Sequence, residues 1–483
     1  MLISQAAINL TANILSAALG LLSVFVFTRL FTPDNYGAYL LGVGFASVIG
    51  VFLIGWFRNL ILSEHARDDG ADVRGLVAQG YLMACFIAPV AFGLGLALGL
   101  DAVVAAASVG LAIAIGLFEL TQDFLRARLQ ATFALKSTLT RAAATLVIGV
   151  ALATIDRDGS ILLAAAALAC LLAVAMQARL VWQGATFVRF DGARLRSAAR
   201  QGFPLTVSLT LLAISSVIDR FMIANLVGTG DAGKYVSGLD LVRQTLMMPA
   251  TSLAAAFFPL AVQIYAKHGP VATRAHLGDC VELLVAVMLP ACLGFAVISS
   301  HVANIVLGAD FREIASAVMP IVAVAVIFQV LTQQYLHASF LLAGRNSFYL
   351  INTATIIVAN LIMAYVLVKW DGAVGAAWAR LGADIVGFAC ALILTRRAFA
   401  VPLPIGRLAL ATAAALIMAL LVATLDRSLR VSDALACAVL IAVGFASYAA
   451  LCWALDIART RQRLKQGIAL VRGRLAHRRA RQA

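Results

Sequence analysis

QGFPLTVSLTLLAISSVIDRFMIANLVGTGDAGKYVSG, residues 201–238, decides the fold. From Phe203 to Leu226 every residue is uncharged except Asp219 and Arg220, and a glycine-rich stretch from Gly228 to Gly233 separates this run from a second apolar one. A helix rises about 1.5 Å per residue, so a segment of this length reaches across the roughly 30 Å hydrocarbon core of a bilayer. The same pattern fills the 483 residues, of which 63% are apolar and 12% charged. Soluble domains carry about 25% charged residues, so a soluble protein is excluded.

Outward from this segment, apolar windows fall near 6–28, 37–60, 77–99, 102–121, 138–155, 161–182, 203–226, 233–258, 277–298, 314–336, 347–368, 373–395, 406–425 and 434–456. They predict an all-α polytopic membrane protein with fourteen transmembrane helices. The chain carries 37 Lys and Arg against 23 Asp and Glu, a net charge of +14. Most of these basic residues lie in alternate connections and in the tail, which by the positive-inside rule puts both termini in the cytoplasm. The tail 459–483 is basic with Ile468, Leu470 and Val471 interspersed. It reads as a topology determinant and amphipathic surface anchor rather than a nucleic-acid binding segment. The opening MLISQAAINL lacks the basic region and cleavage site of a signal peptide and is expected to be retained as the first span.

An internal repeat divides the chain. Gly37-Ala38-Tyr39 after the first span parallels Gly233-Lys234-Tyr235 after the seventh, and Asp158-Gly159 before the sixth parallels Asp371-Gly372 before the twelfth. The expected organisation is a six-helix bundle over 1–184, a basic cytoplasmic linker over 185–200, a second six-helix pseudo-repeat bundle over 201–398, two C-terminal helices over 399–458, and the tail 459–483. Repeated halves are a common way to build alternating access.

Several motifs fail. Gly228 to Lys234 satisfies G-x-x-x-x-G-K, but Tyr235 stands where a phosphate-binding loop needs Ser or Thr for magnesium, so the segment reads as a glycine-rich turn between spans. The seven cysteines show no C-x-x-C spacing, and neither H-E-x-x-H nor G-x-S-x-G occurs, so no metal site, cofactor or hydrolase centre is expected. The outer connections are short, the longest running over 299–313, which leaves no domain to carry catalytic groups.

Ionisable residues inside a span are costly unless they face a cavity or a partner. Arg220, Arg243 and Arg380 lie within spans, Arg29 at the outer end of the first and Arg58 near the inner end of the second. These five are the candidate diphosphate-binding residues, because a guanidinium keeps its charge and donates paired hydrogen bonds. For Arg29 and Arg58 the competing reading is snorkelling to the interface. Asp219, Asn225, Asp240, Gln244, Gln333 and Asp384 are candidate polar groups of the cavity. Asp240 with Arg243, and Arg380 with Asp384, share a helical face and form self-neutralised pairs in the competing reading. Asp219 and Arg220 are adjacent and point about 100° apart, so at least one must look elsewhere. Glu119 and Asp123 share a face; the preferred reading pairs Asp123 with Arg126 rather than making the acids a proton site.

The pattern resembles the lipid-linked oligosaccharide flippases of bacterial polysaccharide assembly, the O-antigen and exopolysaccharide translocases of the superfamily that also holds multidrug exporters and the peptidoglycan-precursor flippase. The resemblance rests on FTRLFTPDNYGAYLLG (27–42), residues 201–238, ANIVLGADFREIASAVMPI (303–321), LLAGRNSFYLINTATIIVANLIMAYVLV (341–368) and DGAVGAAWARLGAD (371–384). Its most specific elements are the series Pro204, Asp219-Arg220, Gly233-x-Tyr235 and the series Asn360 to Gly375-Ala376-Ala377. What it implies is two bundles facing across a cavity, alternating access on a polyprenyl-diphosphate-linked glycan, and a cationic cavity on Arg29, Arg58, Arg220 and Arg243. It implies, too, a lipid-side groove for the polyprenyl tail on the last two helices and a place in the bacterial inner membrane. A polysaccharide polymerase and a chain-length regulator are the implied protein partners. The alternatives are a cation-coupled multidrug exporter, a membrane polymerase or ligase, and a structural scaffold of a glycan-assembly complex.

Overall fold

The computed structural model describes residues 2–64, 71–128, 130–183 and 192–461, and among them the regular elements are helical throughout. They are α1 (Leu2–Leu30), α2 (Pro33–Glu64), α3 (Ala71–Ala84), α4 (Ala88–Ala97), α5 (Ala102–Ala127), α6 (Ala131–Ala153), α7 (Gly159–Trp182), α8 (Gly192–Leu226), α9 (Thr229–Val306), α10 (Ala309–Val330), α11 (His337–Leu342), α12 (Asn346–Arg397), α13 (Ile405–Ser428) and α14 (Asp433–Leu455). A 3-10 turn over Cys85–Ile87 joins α3 to α4, and a π-helical turn over Leu331–Leu336 joins α10 to α11. Among the described residues eleven stretches are long and apolar enough to cross a membrane, and Leu15–Leu30 adds a shorter apolar helix. The part of the linker described, from Gly192 on, is the first part of α8. The tail beyond Arg461, with its expected amphipathic helix, lies outside the described residues.

Two expected connections are helical instead. α9 runs for 78 residues through both the 233–258 and 277–298 windows, broken only at Gly269 (φ 75°, ψ −173°) before Pro270. α12 runs for 52 residues and breaks at Asp371 and Gly372, the latter at φ 54°. Hydropathy falls between the windows, but helix propagation depends on backbone hydrogen bonds, so the helix continues past its apolar part until a residue that tolerates positive φ ends it. The turn before α9 is also shorter than expected: α9 begins at Thr229, leaving Gly233 and Tyr235 inside its first two turns.

The packing separates two compact units. The first comprises Met1–Leu239, Val306–Ala315 and Ile356–Arg380. Within it α2 lies against α5, α7 and α8, while α6 lies against α1 and α7. Fully buried Ala165, Ala169 and Ala173 let neighbouring helices approach α7 closely, which matters in lipid, where association relies on van der Waals fit rather than on water exclusion. Phe57, Ile61, Val77, Leu120 and Phe124 form one buried cluster, and Leu41, Phe45, Leu111 and Leu163 another.

The start of α9 also packs against the start of α2. A Cβ built on Gly233 would lie 2.6 Å from the Pro33 carbonyl oxygen and 2.8 Å from the Gly37 Cα. Thr229 Oγ1 donates to Asp34 Oδ1 at 3.1 Å beside this contact. The two repeat-related glycines therefore touch each other, and of the two glycines that mimic a phosphate loop close backbone approach accounts for Gly233, whereas Gly228 has open space around it and lies at φ 144°.

The second unit comprises Asp240–Ile305, Ser316–Thr355 and Leu381–Ala483. Here α13 and α14 pack as a pair, and Met418, Val422, Cys437 and Leu440 gather around Ile298. In both units large apolar side chains point outward, with Phe86, Trp370 and Phe445 about four-fifths exposed or more, as suits a protein solvated by lipid.

Candidate functional site

The most developed polar site lies inside the first unit and centres on Asp219, which α8 carries at full burial. Asn360 Nδ2, from the first half of α12, donates to Asp219 Oδ1 at 2.6 Å. The Tyr235 hydroxyl, from the second turn of α9, donates to Oδ2 at 3.3 Å. The Arg380 guanidinium, from the second half of α12, stands 3.7 Å from Oδ2 and donates to the Ser215 carbonyl at 2.8 Å. All five residues are buried. An isolated carboxylate in a bilayer would be prohibitive; here both of its oxygens are addressed, and one guanidinium balances the charge.

The other embedded groups have different surroundings. Arg220 is buried, its stem packing 3.6 Å from the Cβ position of Gly44 on α2. Arg29 is exposed and donates to the Phe25 and Val306 carbonyls at 2.8 Å each, the second at the end of α9, where helix carbonyls are left open. Its guanidinium also lies over the Phe25 ring. Asn225 donates to the Leu98 and Phe221 carbonyls, which joins the end of α8 to the turn after α4. Asp123 pairs with Arg126 at 3.3 Å. In the second unit Asp240, Arg243 and Gln244 are half-buried on α9, Gln333 is half-buried in the π-helical turn, and Asp384 is buried on α12. The side chain of Arg58 lies outside the described residues.

Sequence reasoning singled out Asp219 and Arg380 without pairing them with each other, and it did not place Tyr235, Asn360 or Ser215 at the site. The available signals were an asparagine in the middle of the 347–368 window and a tyrosine where a phosphate loop would need a hydroxyl amino acid.

The second unit holds an apolar cavity of about 500 Å³ lined by residues of α9, α13 and α14, among them Pro249, Pro290, Phe295, Met418, Ile441 and Phe445. At one end of the same unit, beyond the apolar window that closes at 298, the His301 imidazole bridges two helices. Its Nδ1 lies 2.6 Å from Asp433 Oδ1 and its Nε2 2.8 Å from Asp426 Oδ1. Elsewhere in the unit Arg407, at the start of α13, pairs with Asp279 and Glu282 on α9 at 3.3 and 3.1 Å. Among the described residues no cluster of His, Cys, Asp and Glu has the makings of a metal site.

Long apolar helices, broken at glycine and proline and enclosing a neutralised ionic cluster, define a polytopic membrane protein of transporter fold. The chain belongs to the polysaccharide biosynthesis protein family, whose model matches residues 26–316. No curated protein matches its sequence. Among solved structures it is similar to the lipid II flippase MurJ in an inward closed conformation, with a TM-score of 0.75 at 14% identity over 93% of this chain and 98% of that one. It is similar also to an inward-facing multidrug resistance MATE family transporter of the MOP superfamily, with a TM-score of 0.56 at 17% identity over 81% of this chain and 94% of that one. A Vibrio cholerae MATE transporter, VcmN, gives a TM-score of 0.56 at 14% identity over 82% and 95%. At these identities the likeness is one of fold.

Proposed function

We propose that the protein is a transporter, not an enzyme, that moves a polyprenyl-diphosphate-linked oligosaccharide from the cytoplasmic to the periplasmic leaflet of a bacterial inner membrane by alternating access. The observation that carries this reading is the polysaccharide biosynthesis family match over residues 26–316 on a flippase-like fold. Counting each broken helix as two spans and adding the first helix gives fourteen spans, with both termini cytoplasmic. Arg220 and Arg243, with Arg29 and Arg58, are the proposed diphosphate ligands. Gln244, Gln333 and Asn225 are proposed to meet sugar hydroxyls. Arg380 is better read as the partner of Asp219, given the 3.7 Å pair. The apolar cavity on α9, α13 and α14 suits an isoprenoid chain, whose transfer from water to an apolar site is favourable by about 25 cal/mol per Å².

Export of drugs by a MATE-like mechanism has the same fold behind it. The two readings separate in cells: deletion should abolish surface polysaccharide, and overexpression should leave drug resistance unchanged. Resistance to several unrelated cations on overexpression, with normal polysaccharide in the deletion strain, would favour the exporter.

A further inference from the structure

Asp219 sits in a set of oxygen atoms that has the chemistry of a cation site. Its two carboxylate oxygens, the Ser215 carbonyl and the Tyr235 hydroxyl are drawn together by the contacts above. Asn360, fully buried and bonded to Asp219 through its nitrogen, leaves its Oδ1 buried with no hydrogen-bond donor. Hard cations favour such carboxylate, carbonyl and amide oxygens, and a buried carboxylate on a spanning helix is the ordinary means of coupling transport to an ion. The guanidinium of Arg380, 3% exposed and part of the same chain, stands against two of these oxygens, 3.7 Å from Asp219 Oδ2 and 2.8 Å from the Ser215 carbonyl. The charged and titratable groups facing Asp219 are Arg380 on α12 and the Tyr235 phenol on α9. Arg220, next to it on α8, points about 100° away around the helix axis.

We propose that Arg380 is a tethered counter-cation: it fills the cation position of the Asp219 oxygen cluster permanently, so that Asp219 exchanges neither a proton nor a metal ion during the transport cycle. Guanidinium groups stay charged at every physiological pH, so the pair is insensitive to the ion gradients around it. The inference concerns how the protein is energised and holds for either cargo. Removing the guanidinium should open the site to ions from solution.

The test uses the full-length purified protein and reads thermal stability, so it is independent of any cargo. Melting is followed in sodium chloride against choline chloride at constant ionic strength, and across pH at constant salt. The wild type should melt at the same temperature in both salts. Arg380→Ala should acquire a stabilisation of a few degrees that depends on sodium or on low pH, through preferential binding to the folded state. Adding Asp219→Asn to that variant should remove the new dependence. A wild type that is itself stabilised by sodium through Asp219, or a folded Arg380→Ala that responds to neither ion, would overturn the proposal. If Arg380→Ala does not fold, the doubly neutral Asp219→Asn/Arg380→Met variant decides. It should fold where each single change fails, and a double variant no better than the singles would overturn the pairing.

Discussion

At the scale of single residues, the chain shows how differently arginines behave when water is scarce. Arg380 lies against a carboxylate, Arg29 against backbone carbonyls, and Arg220 is buried along α2. Composition cannot distinguish these cases, because each depends on what the fold brings alongside. That Asp219 needed a partner off its own face was legible in the sequence, since its neighbour Arg220 projects elsewhere. Its actual partners, Tyr235, Asn360 and Arg380, come from other helices, and no spacing rule reaches that far. For Arg220 and Arg243 the account predicts that Arg220→Ala and Arg243→Ala each weaken binding of a polyprenyl-diphosphate glycan by roughly tenfold or more. That is the effect of losing a charged hydrogen bond worth about 1.5–3 kcal/mol. Titration of the purified variants with the lipid-linked glycan checks this, and unchanged affinity in both would remove the arginines from the site.

At the scale of elements, the sequence revealed the apolar segments and hid their continuity. Windows of hydropathy marked the membrane-crossing parts of α9 and α12, while the backbone stayed helical between them up to Gly269 and Gly372. The glycine motif at 228–233 was legible as unusual; the contact of Gly233 with Gly37 required the fold. Gly233→Val should therefore cost about 2 kcal/mol of stability through overpacking, because the new Cβ would begin 2.6 Å from the Pro33 oxygen. Denaturation of the purified variant measures this, with Gly93→Val, where a Cβ meets nothing within 4 Å, as the control.

His301 gives a pH-dependent counterpart. Burial opposes its positive charge, but the hydrogen bonds to Asp433 and Asp426 outweigh that effect and raise its pKa above the ordinary value. Both ring nitrogens face acceptor-only carboxylates, which suits the imidazolium. A raised folded-state pKa gives stability that is fully present below about pH 6.5 and is lost as pH rises through the folded value. The stability advantage of the wild type over His301→Gln should accordingly be largest in mild acid and shrink under alkaline conditions. A difference that does not vary with pH would contradict the assignment.

At the scale of the whole molecule, two units carry distinct chemistry: a buried ionic cluster in the first, an apolar cavity in the second. Membrane character followed from 63% apolar and 12% charged residues, and the all-helical class from the helix-length apolar windows. Family membership followed from motifs spread along the chain and from the match over 26–316. The apolar cavity was not legible from any one segment, since α9, α13 and α14 are far apart in sequence. A diphosphate lipid leaving the cytoplasm moves negative charge toward the positive side, a gain of about 2.3 kcal/mol per charge per 100 mV. Membrane potential can thus drive the proposed direction without an ion bound at Asp219. The most direct measurement is the sidedness of the lipid-linked glycan in a deletion strain, read with a membrane-impermeant label. The account predicts that the complete repeat unit accumulates in the cytoplasmic leaflet and that the wild-type gene restores its outward transfer; unchanged amount and sidedness, with no second transporter for the same lipid, would contradict it.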